Sequence, residues 1–158
     1  LFRSLLNKNT KTINRLPDYL EMIREAGMIP GLSAHMPEVV QYADYNEYDV
    51  ETYIQIYNCM GFLMQVEIES VAKIIHAAKK PVITIKPLAA GRTTPFVGLN
   101  FVYNTIREQD MVSIGCFNAD QAEEDVEVSL AAMERRMPQI ANRNSPFVTS
   151  AIKGEIKE

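Results

Sequence analysis

Lys79-Lys80-Pro81-Val82-Ile83-Thr84-Ile85-Lys86-Pro87-Leu88-Ala89-Ala90-Gly91-Arg92 contains the plan of the whole chain. Val82–Ile85 is a short apolar run rich in β-branched residues and bounded by turn signals, the pattern of a buried strand. Lys79-Lys80-Pro81 ends the element before it, and Pro87 with the small residues Ala89, Ala90 and Gly91 makes a loop after it. Upstream, Ile68, Val71, Ala72 and Ile75 recur at i, i+3, i+4 and i+7, the apolar stripe of a helix that faces a sheet. Downstream, Leu99, Val102, Tyr103 and Ile106 repeat that spacing.

The same rhythm runs outward in both directions. Ile29–Ser33, Thr52–Tyr57, Val82–Lys86 and Met111–Cys116 each read as a strand. Helical patterns come after them near 37–43, 66–79, 96–108 and 119–134, the last with Ala122, Val126, Leu130 and Met133 as its stripe. A further helix starts at Pro17, where a missing N–H costs nothing, with Leu16, Leu20 and Ile23 in phase and Ile13 as an upstream extension. Gly27 stops it. Residues 1–12 carry mixed signals and read as a lead-in.

Strand–helix units in series build a parallel sheet, so the fold class is α/β. Four such units amount to half of a (β/α)8 TIM barrel, which needs about 250 residues. This chain has 158 and starts at Leu1. The expectation is therefore that residues 1–137 are the C-terminal half of a barrel domain, and that 138–158, polar and containing Pro146, are a tail or extension. The open edge strands of a half barrel need an upstream half or a second copy to cover them.

Composition narrows the function. Net charge is −4 with both signs dispersed, which argues against a nucleic-acid groove, since phosphate binding needs clustered Lys and Arg. No apolar run reaches the roughly 18 residues of a membrane span. Two cysteines, Cys59 and Cys116, give no disulfide framework and fit a reducing cytoplasm.

Parallel βα folds concentrate chemistry at the strand C-termini. Those mouths carry Ser33-Ala34-His35; Gln55, Tyr57, Asn58 and Cys59; Lys86–Arg92; and Gly115-Cys116-Phe117-Asn118. Loop ends are polar in any barrel, so polarity alone does not make a site. The third mouth is the strongest signal: small residues around Gly91 let backbone N–H groups approach an anion, and Arg92 adds charge. Glycine needed only for turn geometry explains the same letters. In a complete barrel this loop comes after the seventh strand and Gly115 after the eighth, where phosphate sites are frequent. Lys86 reads either as a charge for an anionic ligand or as a Schiff-base amine of an aldolase. His35, Cys59 and Cys116 occupy separate mouths but match no zinc spacing. His76 falls off its helix stripe and reads as solvated, and Glu123, Glu124, Asp125 and Glu127 read either as a wet helix face or as groups that touch a nucleotide.

The order Gly31-Leu32-Ser33-Ala34-His35, Gln55-Ile56-Tyr57-Asn58, Ile85–Arg92 and Ile114-Gly115-Cys116 resembles the C-terminal half of the aldo/keto reductase superfamily. It is closest to shorter bacterial-type members, whose segments read like GISTH, PYN, MKPLGGG and PG, and the likeness spans about 17–134. The resemblance implies a (β/α)8 barrel that binds NADP or NAD at its mouth and reduces an aldehyde or ketone. It implies that Ser33 and Gln55 hold the nicotinamide, with Tyr57 near the ring. By the same likeness Lys86 and Leu88–Arg92, including Leu88, Gly91 and Arg92, run along the pyrophosphate. Gly115, Cys116 and Asn118 then approach the adenosine side, and Gln121 and Asp125 the adenine. Ala34 stands where the family has an Asn, and no basic residue for a 2′-phosphate occurs between Cys116 and Asp125. The family's catalytic Asp, Tyr, Lys and His belong to the other half of the barrel, so no catalytic residue is assigned here. Two other classes stay open: an aldolase or isomerase barrel acting on a phosphorylated substrate, and a barrel that binds a ligand without transforming it.

Overall fold

The computed structural model describes residues 5–140. It opens with a small antiparallel hairpin, β1 (Leu6–Asn7) and β2 (Thr12–Ile13). Next come α1 (Leu16–Glu25), β3 (Gly31–Ala34), α2 (Glu38–Tyr45), β4 (Thr52–Ile56) and α3 (Ile68–Ala77). The chain continues through β5 (Val82–Ile85), α4 (Pro95–Tyr103), β6 (Met111–Ser113) and α5 (Ala119–Glu134). Strands β3 to β6 form one sheet in sequence order, every pair parallel. The α/β class read from the sequence is thus the observed one.

Each expected strand is present; β4, β5 and β6 start where expected and stop short of their expected ends, and β3 starts two residues later and runs one further, to Ala34. Ile29 and Pro30 lie before β3, because Pro30 has no N–H for the ladder; its carbonyl instead accepts from Glu51 N at 2.9 Å. Helix α1 has Pro17 in its first turn and closes at Gly27 (φ 71°), with Gly27 N donating to Arg24 O and Met28 N to Ile23 O. That pair of bonds is a Schellman stop, which needs the left-handed residue. Two local expectations need correction. The lead-in is partly the β1–β2 hairpin, and Ile13 is a buried strand residue rather than an extension of α1. Of the expected tail, residues 141–158 lie outside the described residues.

Successive strand residues face opposite sides, and register partners face the same side. Leu32, Tyr53 and Val82 are aligned and buried under the helices, in one cluster with Val39, Val71, Ile75 and Val102. On the opposite face Gly31, Ser33, Met111 and Ser113 are exposed and Ile54, Ile83 and Ile85 half-buried, while Ile56 at the C-terminal end of β4 is buried.

Helix α5 departs from its predicted orientation. Val126, Leu130 and Met133 are exposed at 59%, 42% and 54%, while Asp125, Val128, Ser129, Ala131 and Ala132 are buried. Helices α4 and α5 pack together, and the small residues of α5 allow that approach where the bulkier stripe would not.

Beneath the sheet, at the N-terminal end of β5, Asp110 is the hub. Its carboxylate accepts from Val82 N at 2.8 Å and from the Arg107 guanidinium, which also donates to Ala78 O and Lys80 O. This fixes where β5 enters the sheet, and so where its far end emerges.

Candidate functional site

That far end opens into a cleft of about 640 Å³ between the mouths of β5 and β6. The volume is within the range of small-molecule sites, roughly 300–1,000 Å³. Its wall includes Lys86, Leu88, Gly91, Gly115, Gln121 and Asp125, all singled out in the sequence, and they converge from two separate loops and one helix. Glu124, named in the sequence among the carboxylates of the last helix, also lines it, as do Thr93, Pro95 and Ser113, which were not singled out.

The β5–α4 loop has unusual backbone geometry. Lys86, Ala89, Ala90 and Gly91 have φ of 58°, 50°, 56° and 78°. Left-handed conformations cost little at glycine but about 1 kcal/mol or more at other residues, and they cluster where a loop shape is used. The Leu88 carbonyl accepts from Gly91 N, Arg92 N and Thr93 N, and Lys86 O accepts from Ala89 N. Those four amides are spent inside the turn, which favours the turn-geometry reading of Gly91 over the anion cradle that the sequence left open beside it.

Gly98 is the residue that lets α4 sit against this wall. A Cβ there would lie 2.7 Å from the Pro87 carbonyl oxygen. A glycine inside a helical stripe was the available signal of such a close approach. Two helix N-termini then flank the cleft. Thr94 caps α4 by accepting from Val97 N at 3.4 Å, and Asn118 caps α5 by accepting from Gln121 N at 2.9 Å. Their partial positive ends favour a negative group nearby.

Asn118 is thus committed to the helix cap, and the Gln121 side chain accepts from Phe117 N. Cys116 turns its thiol to Asp125, donating at 3.4 Å. Desolvation of the sulfur, then that bond, push the thiol pKa up. Asp125 is buried, not part of a wet face.

The remaining candidates lie elsewhere. Arg92 stacks on Phe62, its guanidinium carbon 3.9 Å from the ring centroid, and donates to Ala89 O. Tyr57 is buried, packs on Phe101 and donates to Thr105 Oγ1 at 3.0 Å, and burial pushes its phenol pKa up. Gln55 shares the helix-facing side with Tyr53 and Tyr57, while Ser33 aligns with Ile54 on the open face, so the sheet separates the two. Gln55 Nε2 donates to its neighbour Ile56 O, and its Oε1 has no partner. Asn58, also at the β4 mouth, is fully buried and accepts from Met60 N and Phe62 N while donating to Phe62 O.

No family model, curated protein or solved structure matches this chain.

The site is therefore defined by its own geometry. Among the described residues no group of three or more His, Cys, Asp or Glu could hold a metal ion, and His35, Cys59 and Cys116 do not converge. Both cysteines are free thiols. His76 is exposed, with Nε2 2.8 Å from Thr105 O. No described helix is long and apolar enough to cross a membrane. Chemically, the cleft offers one exposed cation (Lys86), two carboxylates (Glu124 and Asp125), two helix N-termini and an apolar floor that includes Ile85 and Leu88.

Proposed function

We propose that this chain is the nucleotide-holding half of an aldo/keto-reductase-like (β/α)8 barrel. The complete barrel transfers hydride from a nicotinamide cofactor to an aldehyde or ketone. The observation that carries this proposal is the convergence of Lys86, Leu88, Gly91, Gly115, Gln121 and Asp125 on one cleft at the strand C-termini. The barrel itself is supported by a parallel sheet in sequence order, a sheet face on which Ile54, Ile83 and Ile85 are only half-buried, and the exposed Val126–Leu130–Met133 stripe. These are the surfaces that an upstream half would cover.

The residues fit a dinucleotide unevenly. The helix N-termini at Thr94 and Asn118 favour the pyrophosphate. Glu124 and Asp125 suit ribose hydroxyls, which donate hydrogen bonds to carboxylates, and they repel a 2′-phosphate. NADH is therefore the expected partner in preference to NADPH. The cofactor, when bound, supplies the hydride; the residues of this chain hold its adenosine and diphosphate end. The proton donor for the carbonyl oxygen belongs to the other half of the barrel.

Calorimetric titration of the chain with NADH and NADPH tests this. Saturable one-to-one binding of NADH, weakened in Gly115→Leu, is expected. Absence of binding by either dinucleotide at millimolar concentration overturns it. A competing assignment rests on Lys86, which lines the same cleft and would attack the carbonyl of a phosphorylated substrate. Borohydride trapping of a covalent adduct on Lys86 would favour that aldolase instead.

A further inference from the structure

Strand β3 lies at one edge of the sheet, with β4 as its only strand neighbour among the described residues. Pro30 turns its carbonyl to Glu51, on the β4 side, so by alternation Gly31 and Ser33 turn their backbone groups to the outer edge. Natural edge strands are guarded against pairing by lysine, other charges or a proline within the strand. No Asp, Glu, Lys or Arg occurs between Glu25 and Glu38. Met28 and Ile29, at the entry to β3, are exposed at 58% and 76%. This edge is unguarded.

An apolar groove of about 220 Å³ lies beside it, between α1 and β3. Leu20 and Ile23 of α1 line one wall, Gly31 and Leu32 of β3 the other, and no charged residue lines it. Its place in the fold identifies the occupant. In a right-handed crossover, the helix that runs into a parallel strand lies over the gap between that strand and the strand before the helix. Helices α2, α3 and α4 each join neighbouring parallel strands of this sheet. Helix α1 runs into β3 in the same way, so the strand before α1 belongs at the outer edge of β3, where the groove is. Leu5 points to the same origin. It lines the groove, and its carbonyl accepts from Asn14 N at 2.8 Å as the chain enters the hairpin that leads to α1. A second copy fits poorly, because either edge strand it offered would bring a helix of its own to the place that α1 holds.

We infer that the groove is a strand slot: a strand from the chain preceding the hairpin pairs in parallel with β3 and sets an aliphatic side chain between Leu20, Ile23 and Leu32. Backbone bonds to Gly31 and Ser33 hold its register, and alternate residues turn to the groove. This rests on the half-barrel reading above and deepens it, giving the element through which the upstream half joins, its direction and its chemistry.

The test is amide hydrogen exchange of the full chain with a soluble probe strand, acetyl-Lys-Val-Thr-Val-Thr-Val-Lys-amide. The control is the same peptide with proline for its central valine, which cannot donate to a ladder. Exchange at Gly31 and Ser33 is expected to slow about tenfold at a peptide concentration ten times its Kd. The proline peptide is expected to have no effect at that concentration. Ile23→Lys is expected to weaken the peptide at least about tenfold by removing an apolar wall of the groove, with NADH binding unchanged. Tyr19→Lys, at a groove position 40% exposed, gives the same readout should Ile23→Lys unfold. Slowing at Gly31 and Ser33 in a chain that binds no NADH supports the slot while removing the nicotinamide assignment. NADH binding with no slowing at β3, slowing centred on Met111–Ser113 instead, or equal slowing by the proline peptide overturns the slot.

Discussion

The mouths of β3 and β4 and the mouths of β5 and β6 carry similar polar letters, but they are used in opposite ways. At β4, Asn58, Tyr57 and Gln55 are buried: Asn58 folds the adjoining loop, Tyr57 bonds Thr105, and Gln55 lies under the helices. At β5 and β6 the loops bond mainly to themselves and leave a cleft. A polar residue at a strand end is thus no guide to function until its partners are known. Where backbone groups of the next loop need satisfying, the side chain serves the fold. Where the loop closes on its own carbonyls, space remains for a ligand.

Substitutions separate the two regions by what they damage. Asn58→Ala removes three part-buried hydrogen bonds and leaves their backbone partners without that side chain, which should cost about 2–4 kcal/mol. Urea unfolding measures it; a loss below about 1 kcal/mol would mean water replaces the side chain and the contrast fails. Gly115→Ala, where a Cβ meets nothing within 4 Å, should stay within about 0.5 kcal/mol of the parent.

Gly98→Ala forces a Cβ onto the Pro87 carbonyl and should cost about 1–3 kcal/mol while weakening NADH binding, because α4 must move from the cleft wall. Unfolding and calorimetry together check it; unchanged affinity would detach the cleft from that packing. Gln55→Met removes a buried, unpartnered oxygen and should stabilise the chain by up to about 1 kcal/mol with NADH affinity unchanged. Lost NADH affinity would return Gln55 to the site. Glu124→Gln should raise NADPH affinity relative to NADH by about fivefold through loss of one negative charge. Equal ratios before and after the change would remove Glu124 from phosphate discrimination.

The smallest effect concerns the chain just past α5. The Arg136 guanidinium, then the Gln139 amide, hold the Glu127 carboxyl down at about 2, against an ordinary 4.5. A carboxyl lowered on folding stabilises above its unfolded value and loses that contribution as pH falls between 4.5 and 2. Thermal melts of the parent and of Glu127→Gln should therefore differ at pH 6 and converge near pH 2. A constant difference would show that the Glu127 charge is not what matters.

Much of the scaffold is legible in the letters because periodicity reports burial directly. Val82–Ile85 and the Ile68, Val71, Ala72, Ile75 stripe read correctly. The hairpin at Leu6–Ile13 does not, because its two-residue strands are too short to show a period. Helix α5 reads with the wrong face inward, since its packing on α4 is decided by small residues and not by the most apolar ones. The cleft itself is half legible. Glycines and strand ends point to Lys86–Gly91 and Gly115, but the direction of Arg92 depends on Phe62, and the commitment of Asn118 on an amide of its own helix. Such choices are made by partners remote in sequence or by competing local bonds, and neither leaves a pattern in composition.

The most direct measurement is ¹⁵N chemical-shift mapping of the chain titrated with NADH. Perturbations centred on Lys86–Thr93 and on Ser113–Asp125, with Tyr57 and Gln55 unmoved, are the predicted result. Perturbations centred on the β3 and β4 mouths, or none at saturating cofactor, would contradict the assignment of the cleft as the nucleotide site.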